Sequence, residues 1–292
     1  MRLYAIGDLH VGHKQNREAL EELTPHPGDG LILCGDIGET MPHLTLVFET
    51  ATACFDYVFW VPGNHELYTM PDSRQPQGEG KYQECLALAR SFGILTPEDP
   101  YMRWEGEGGP CIIAPIFTLY DYSFRPAHVS REGALAWAEE ENIMATDEAL
   151  LHPDPYPSRD AWCDKLVSRT EERLQEAAAN GIPLIIINHW PLREDLVFIP
   201  LIPRFSLWCG TKKTEDWHLR FKAKVVINGH LHVRRTDWID GVRFEECSLG
   251  YPRQWVDAKA SGLDINGLLR EILPGPPAPL SGNAPTQWRR WG

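Results

Sequence analysis

The sequence predicts an α/β protein on a mainly parallel sheet, with a polar site where the strands end. Three observations carry that reading. First, short apolar runs alternate with helical segments: Leu3-Tyr4-Ala5-Ile6, Leu31-Ile32-Leu33-Cys34, Val58-Phe59-Trp60-Val61, Leu184–Ile187 and Val225-Val226-Ile227. Second, each run leads into a turn bearing Asp, Asn or His: Gly7-Asp8-Leu9-His10, Gly35-Asp36, Gly63-Asn64-His65-Glu66, Asn188-His189 and Asn228-Gly229-His230-Leu231-His232. Strand, acidic or imidazole turn, then helix is the rhythm of a sheet with its site at the strand C-termini. Third, 292 residues at 43% hydrophobic content can bury a large core, as one domain or one domain with an insertion.

Taken in order, Asp8 and His10 alternate along a chain read as extended, so both project to one side. A short helix follows over Arg17–Leu23. The second strand ends in Gly35-Asp36-Ile37-Gly38-Glu39, and another helical segment leads to the third, which stops at Pro62-Gly63. Residues 72–80 read as loop, Tyr82–Ser91 as an amphipathic helix closed by Gly93, and Cys111–Ile116 as a strand. Residues 118–182 have no counterpart in the βα rhythm. They carry Tyr120, Tyr122 and Phe124, a helix near Arg131–Asn142, a Pro-rich stretch at 152–157, and a helix over Asp160–Ala179. Ser158 or Asp160 is its N-cap and Gly181 lies past its end. This segment reads as an insertion that lids the site. A hairpin at Asp240-Gly241 and the stretch Ser248–Trp255 complete the folded part. Residues 1–273 form a single domain, and the Pro/Gly-rich 274–292 is read as a flexible tail.

The net charge of −13 argues against extended contact with nucleic acid or an anionic membrane. Residues 204–260 differ, with 11 Lys/Arg against 7 Asp/Glu. Such a bias is more often a solvated face than an anion-docking one. No uncharged apolar run is long enough to cross a bilayer, and the chain enters a strand at once, with no signal peptide visible. Seven scattered cysteines, with no C-x-x-C pair, read as reduced thiols of a cytoplasmic protein.

Asp8, His10, Asp36, Asn64, His189, His230 and His232 are seven oxygen and nitrogen donors placed alike, each after an apolar strand. One such residue is ordinarily a cap or a hydrogen-bonded core group. Seven together repel one another or go unsatisfied unless a cation holds them. Mixed O/N ligation without thiolate suits Mn²⁺, Fe, Zn²⁺, Co²⁺ or Mg²⁺.

The pattern D-x-H, G-D-x-x-(D/E), G-N-H-(D/E), H and G-H-x-H, in this order from Met1 to about Trp255, resembles that of the calcineurin-like metallophosphoesterase superfamily. The resemblance implies a four-layer αββα sandwich, two mixed β-sheets flanked by helices, around a dinuclear metal site. It assigns Asp8, His10 and His232 to one ion, Asn64, His189 and His230 to the other, and Asp36 to both, with manganese the favoured metal. A hydroxide between the ions is then the nucleophile. His65 takes the position of transition-state stabiliser or proton donor. Glu39 stands where some branches place an Asp that orients this histidine. His13 either faces the phosphate or caps the following helix.

These motifs define chemistry more than substrate. Phosphomonoesterases, cyclic-nucleotide phosphodiesterases, nucleases and protein phosphatases share them. Charge argues against a nuclease, and the absence of Arg after Glu39 and Glu66 against a protein phosphatase. An inert scaffold is disfavoured because every ligand position is filled. The stretches Leu207-Trp-Cys-Gly-Thr211, Asp216-Trp-His218, Gly241-Val-Arg-Phe-Glu245 and Ser248-Leu-Gly-Tyr-Pro-Arg253 resemble a bacterial branch that contains phosphopantetheinyl hydrolase. That likeness implies a phosphodiesterase removing 4′-phosphopantetheine from an acyl or peptidyl carrier protein. A broad phosphomonoesterase or cyclic-nucleotide phosphodiesterase is the alternative. In the carrier reading, Lys212, Lys213, Arg234, Arg235 and Arg253 offer a docking face, and Tyr120, Tyr122, Phe124 and Tyr251 line a slot for the pantetheine arm.

Overall fold

A computed structural model describes residues 1–70 and 74–289. The start of the 72–80 loop lies outside the described residues. In chain order come β1 (Leu3–Ile6), α1 (Lys14–Glu21), β2 (His26–Leu33), α2 (Met41–Cys54), β3 (Phe55–Trp60) and the single turn α3 (Asn64–Leu67). The middle of the chain forms α4 (Glu79–Ser91), β4 (Met102–Trp104), β5 (Cys111–Pro115), α5 (Ala134–Glu139), α6 (Asp147–Leu150), α7 (Arg159–Ala178) and β6 (Leu184–Ile187). Beyond a 3₁₀-rich stretch come α8 (Trp217–Arg220), β7 (Ala223–Asn228), β8 (Arg235–Ile239), β9 (Val242–Glu246), α9 (Pro252–Ala260), α10 (Ile265–Leu268), β10 (Arg270–Leu273) and β11 (Ala284–Trp288).

The strands make two mixed sheets, ordered β10-β1-β2-β3 and β11-β8-β9-β7-β6-β5-β4. In the first, β1, β2 and β3 are parallel and β10 is antiparallel to β1. In the second, β5, β6, β7 and β9 are parallel, β4 is antiparallel to β5, β8 to β9, and β11 to β8.

Side chains alternate across each strand, and that alternation sorts the apolar runs into layers. Leu3, Ala5, Ile32, Cys34, Phe59 and Val61 of one sheet meet Ile113, Ile185, Ile187, Val225 and Ile227 of the other in an inner core. Their neighbours Ile6, Leu31, Leu33, Leu184 and Ile186 turn outward to pack under the helices. Burial on both faces is why these strands read as unbroken apolar runs. The result is the expected four-layer αββα sandwich.

Two expectations are refined. Residues 118–182, read as a lid-like insertion, contain a crossover between strands. β5 and β6 are parallel neighbours, so a crossover must join them, and α7 supplies it with Trp162, Leu166, Leu174 and Ala178 buried. Tyr120, Tyr122 and Phe124 are core residues, all at most 2% exposed. Within the segment read as a flexible tail, Ala284–Trp288 forms a strand. β11 pairs with β8, and Arg289 then bonds the Glu245 carboxylate and the Arg234 and Glu246 carbonyls. Its Pro/Gly content hides a strand because edge strands tolerate such residues. The hairpin forms as expected: Asp240 and Gly241 both take positive φ, as a two-residue β-turn of matching twist requires. All seven cysteines are free. Among the described residues no helix is long and apolar enough to cross a membrane.

Candidate metal centre

The turns after β1, β2, β3, β6 and β7 meet at one end of the sandwich. They are not extended. Asp8, His10, Asp36, His230 and His232 all have φ between 40° and 73°. The alternation expected for Asp8 and His10 therefore fails, and tight left-handed turns aim both side chains inward. Such backbone costs about 1–3 kcal/mol per non-glycine residue, so the surrounding structure must impose it. Neighbouring glycines are demanded by crowding. A Cβ on Gly63 would collide with the Asp36 carboxylate, and one on Gly229 with that of Asp8.

The seven predicted donors converge in two groups. In the first, His232 Nε2 lies 2.9 Å from Asp8 Oδ1 and 3.2 Å from His10 Nε2. In the second, His189 Nε2 lies 3.2 Å from His230 Nδ1, 3.3 Å from Asn64 Oδ1 and 3.5 Å from Asp36 Oδ2. Asp36 also faces the first group, its Oδ2 being 4.0 Å from His10 Nε2. Asp8, His10 and His232 on one hand, and Asp36, His189 and His230 on the other, each bring ligand atoms within 4.8 Å of one another.

The donor orientations fit metal ions. His189 donates Nδ1–H to the Cys34 carbonyl at 2.9 Å, leaving Nε2 for the site. His232 donates Nδ1–H to Gln254 at 2.8 Å, again leaving Nε2 inward. Asn64 donates its amide to Tyr68 and Asp147, which turns Oδ1 towards His189. With these histidines in their neutral, ligating form, lone pairs face one another at about 3 Å, an arrangement that a cation relieves.

Protons bear on the same arrangement. Burial lowers His10 and His230 to about 3, so both are neutral and ready to ligate. Burial also acts to lower His189, but Asp36, Asp8 and the Cys34 carbonyl outweigh it and raise this histidine to about 10. Filling the second group must therefore displace the His189 proton. Metal affinity is expected to rise about tenfold per pH unit between pH 7 and 9, with about one proton released per ion. Calorimetry in two buffers of different ionisation heat measures this. Binding without proton release would mean that His189 is already neutral.

His65 lies beside both groups, with Nε2 3.8 Å from Asp36 Oδ2. It donates Nδ1–H to Glu39 at 2.9 Å, so the longer Glu reaches where a shorter Asp was expected. Burial lowers His65, but the Asp36 and Glu39 carboxylates raise it to about 9. A cavity of 290 Å³ opens over this edge, lined in part by Asp36, Asn64, His65, His230, Tyr251 and Arg253. Arg253 is thus brought to the site. His13 is the N-cap residue of α1 without a side-chain cap bond, and its ring meets Tyr251 edge-on at 5.5 Å. Tyr120, expected to bind substrate, is buried in the core. Of the four aromatics read as a slot, Tyr251 alone reaches the cavity, stacking on His10 at 4.5 Å.

Of the five residues expected to form a basic docking face, Lys212, Lys213 and Arg253 are exposed. Arg234 and Arg235 are buried. Lys212 pairs with Glu194 at 2.9 Å, and Lys213 with Asp121 at 3.0 Å and with Asp164.

Several supporting residues escaped the sequence reading. Glu66 accepts from the backbone N–H of Asp36, Ile37 and Gly63 at 2.7–3.0 Å, tying two ligand turns together. Ser248 Oγ lies 2.6 Å from Asp8 Oδ2 and also contacts Glu246. Gln254 both positions His232 and accepts from Tyr251 N–H at 2.7 Å. The Tyr251-Pro-Arg-Gln254 spacing, Pro at the first helical position and Gln two residues on, is a capping signal that marked it.

Two sheets with a paired Asp/His/Asn site at their strand ends define a metal-dependent phosphoester hydrolase. Residues 1–234 match the calcineurin-like phosphoesterase family, and the chain belongs to it. It is 45% identical over 278 residues to the [acyl-carrier-protein] phosphodiesterase PptH of Mycobacterium tuberculosis, covering 94% of this chain and 84% of that protein. The crystal structure of the phosphopantetheinyl hydrolase PptH from Mycobacterium tuberculosis superposes with a TM-score of 0.86 at 44% identity, over 94% of this chain and 96% of that one.

Proposed function

We propose that this protein hydrolyses the phosphodiester that joins 4′-phosphopantetheine to a serine of a carrier protein. The observation that carries the reading is the 45% identity to an acyl-carrier-protein phosphodiesterase across 94% of the chain. Asp8, His10 and His232 would hold one divalent ion and Asn64, His189 and His230 a second, with Asp36 lying towards both. The oxygen and nitrogen donors suit manganese among the candidates, and the free thiols suit the cytoplasm. When bound, the ions supply a water ionised near neutral pH and a clamp on the phosphoryl oxygens.

The rest falls to side chains. His65, oriented by Glu39, carries its acidic proton on Nε2 towards the cavity. As the new P–O bond to water forms, the P–O bond to serine breaks, and His65 gives that proton to the departing serine oxygen. Arg253, exposed at the cavity mouth, offers charge to a non-bridging oxygen.

The test is intact-mass analysis of a holo-carrier protein incubated with the manganese-loaded enzyme, beside p-nitrophenyl phosphate, bis-p-nitrophenyl phosphate and a cyclic nucleotide. Conversion to the apo-carrier is expected. A carrier left intact while bis-p-nitrophenyl phosphate is cleaved would overturn the assignment.

A further inference from the structure

A second cavity, of 360 Å³, opens beside the metal cavity and shares His232 and Gln254 with it. Phe198, Pro200, Val233 and Trp288 give it apolar walls. Phe198 and Trp288 meet with ring centroids 5.2 Å apart, yet are 49% and 46% exposed. Two half-exposed aromatic rings against each other, next to a catalytic cavity, leave apolar surface for a ligand to cover.

We propose that this slot receives the pantetheine arm of the substrate while its phosphate lies among the metal donors. The proposal rests on the carrier-protein reading above and specifies how that substrate is recognised. Continuity is the first argument. A chain attached to the phosphate must leave the metal cavity, and the slot begins at His232, one of the donors. Size is the second, since 360 Å³ falls within the about 300–1,000 Å³ of small-molecule sites.

Charge is the third argument. Arg234 is buried and donates to the Leu249 and Gln254 carbonyls at 3.1 and 2.8 Å, so its guanidinium is committed to the fold. Asp257, also lining the slot, is exposed. A nucleotide arm bearing further phosphate would meet that carboxylate and an engaged guanidinium. Pantetheine is an uncharged chain of methylenes, two amides, a hydroxyl, a gem-dimethyl carbon and a terminal thiol. Its apolar groups suit the rings, Pro200 and Val233, and its amide N–H and hydroxyl groups suit Asp257.

The experiment compares 4′-phosphopantetheine with inorganic phosphate as inhibitors of bis-p-nitrophenyl phosphate hydrolysis by the metal-loaded full chain. In the unaltered protein, 4′-phosphopantetheine should inhibit at least about tenfold more tightly than phosphate. Phe198→Ala and Trp288→Ala should each shrink that ratio several-fold, as expected on removing an aromatic contact. Phe198→Ala, on a connection between elements, guards against the chance that Trp288→Ala loosens β11. Equal inhibition by the two compounds, or a ratio unmoved in both variants, would overturn the slot. Failure of the function reading is distinguishable. An intact holo-carrier with a preserved inhibitor ratio sinks the substrate assignment alone, and a cleaved carrier with a flat ratio sinks the slot alone.

Discussion

Asp36→Asn is expected to abolish turnover and metal loading together. Asp36 faces both donor groups, 3.5 Å from His189 Nε2 and 4.0 Å from His10 Nε2. Replacing one carboxylate oxygen by an amide removes a negative charge from between two sites meant for divalent cations. It leaves an N–H₂ that cannot ligate. The fold should survive. The Asp36 N–H still donates to Glu66, and the remaining side-chain oxygen can still accept from His65 N–H. Elemental analysis, circular dichroism and the bis-p-nitrophenyl phosphate assay together test this. A folded variant retaining two ions would remove Asp36 from its bridging place.

His65→Ala should separate what Asp36→Asn joins. Although its ring nitrogen lies within 4.8 Å of donor atoms of His10 and Asp36, His65 is proposed as an acid outside the two donor groups, so both ions should remain. kcat should fall about 10²–10⁴-fold, the usual worth of a positioned acid. The raised value of about 9 keeps His65 protonated at neutral pH in the metal-free site, held there chiefly by Asp36 and then Glu39. Glu39 is 52% exposed in its side chain and accepts from His65 at 2.9 Å, which fits a residue that positions the ring. Glu39→Ala should therefore cost less, about tenfold. Loss of metal in the His65 variant would place that ring among the ligands, a possibility its 3.8 Å approach to Asp36 makes worth measuring.

The sheet, its parallel core and the seven donors were legible because strand burial and turn chemistry are local. An apolar run followed by Gly-Asp or Gly-Asn-His shows in ten residues. What was not legible depends on partners distant in sequence. Tyr120 and Tyr122 look like binding aromatics until α6 and α7 cover them, when Tyr122 donates to Glu148. Arg235 looks like a surface cation until the ring of Trp288, far along the chain, lies 5.4 Å from its guanidinium. The turn geometry at Asp8 and His10 was hidden for a different reason. Left-handed backbone is uncommon at non-glycine residues, and although Asp and His adopt it more often than most, only the packed site shows where it occurs. Glu66 lay in plain view beside His65, but its three bonds are to backbone, which a side-chain motif does not reveal.

The pairing of β10 with β1 sets a timetable. Leu3 aligns with Leu273 and Ala5 with Arg270, so the strand that leads into Asp8 keeps an open edge until nearly the whole chain has been synthesised. The Arg289 contacts that hold the backbone beyond His232 come later still. On the ribosome, β1, β2 and β3 can assemble early as a parallel group. Asp8, His10, Asp36 and Asn64 then stand ready while His189, His230 and His232 are still to be made. That early group lacks three of the seven donors, so neither donor set is complete until residues 189–232 are in place.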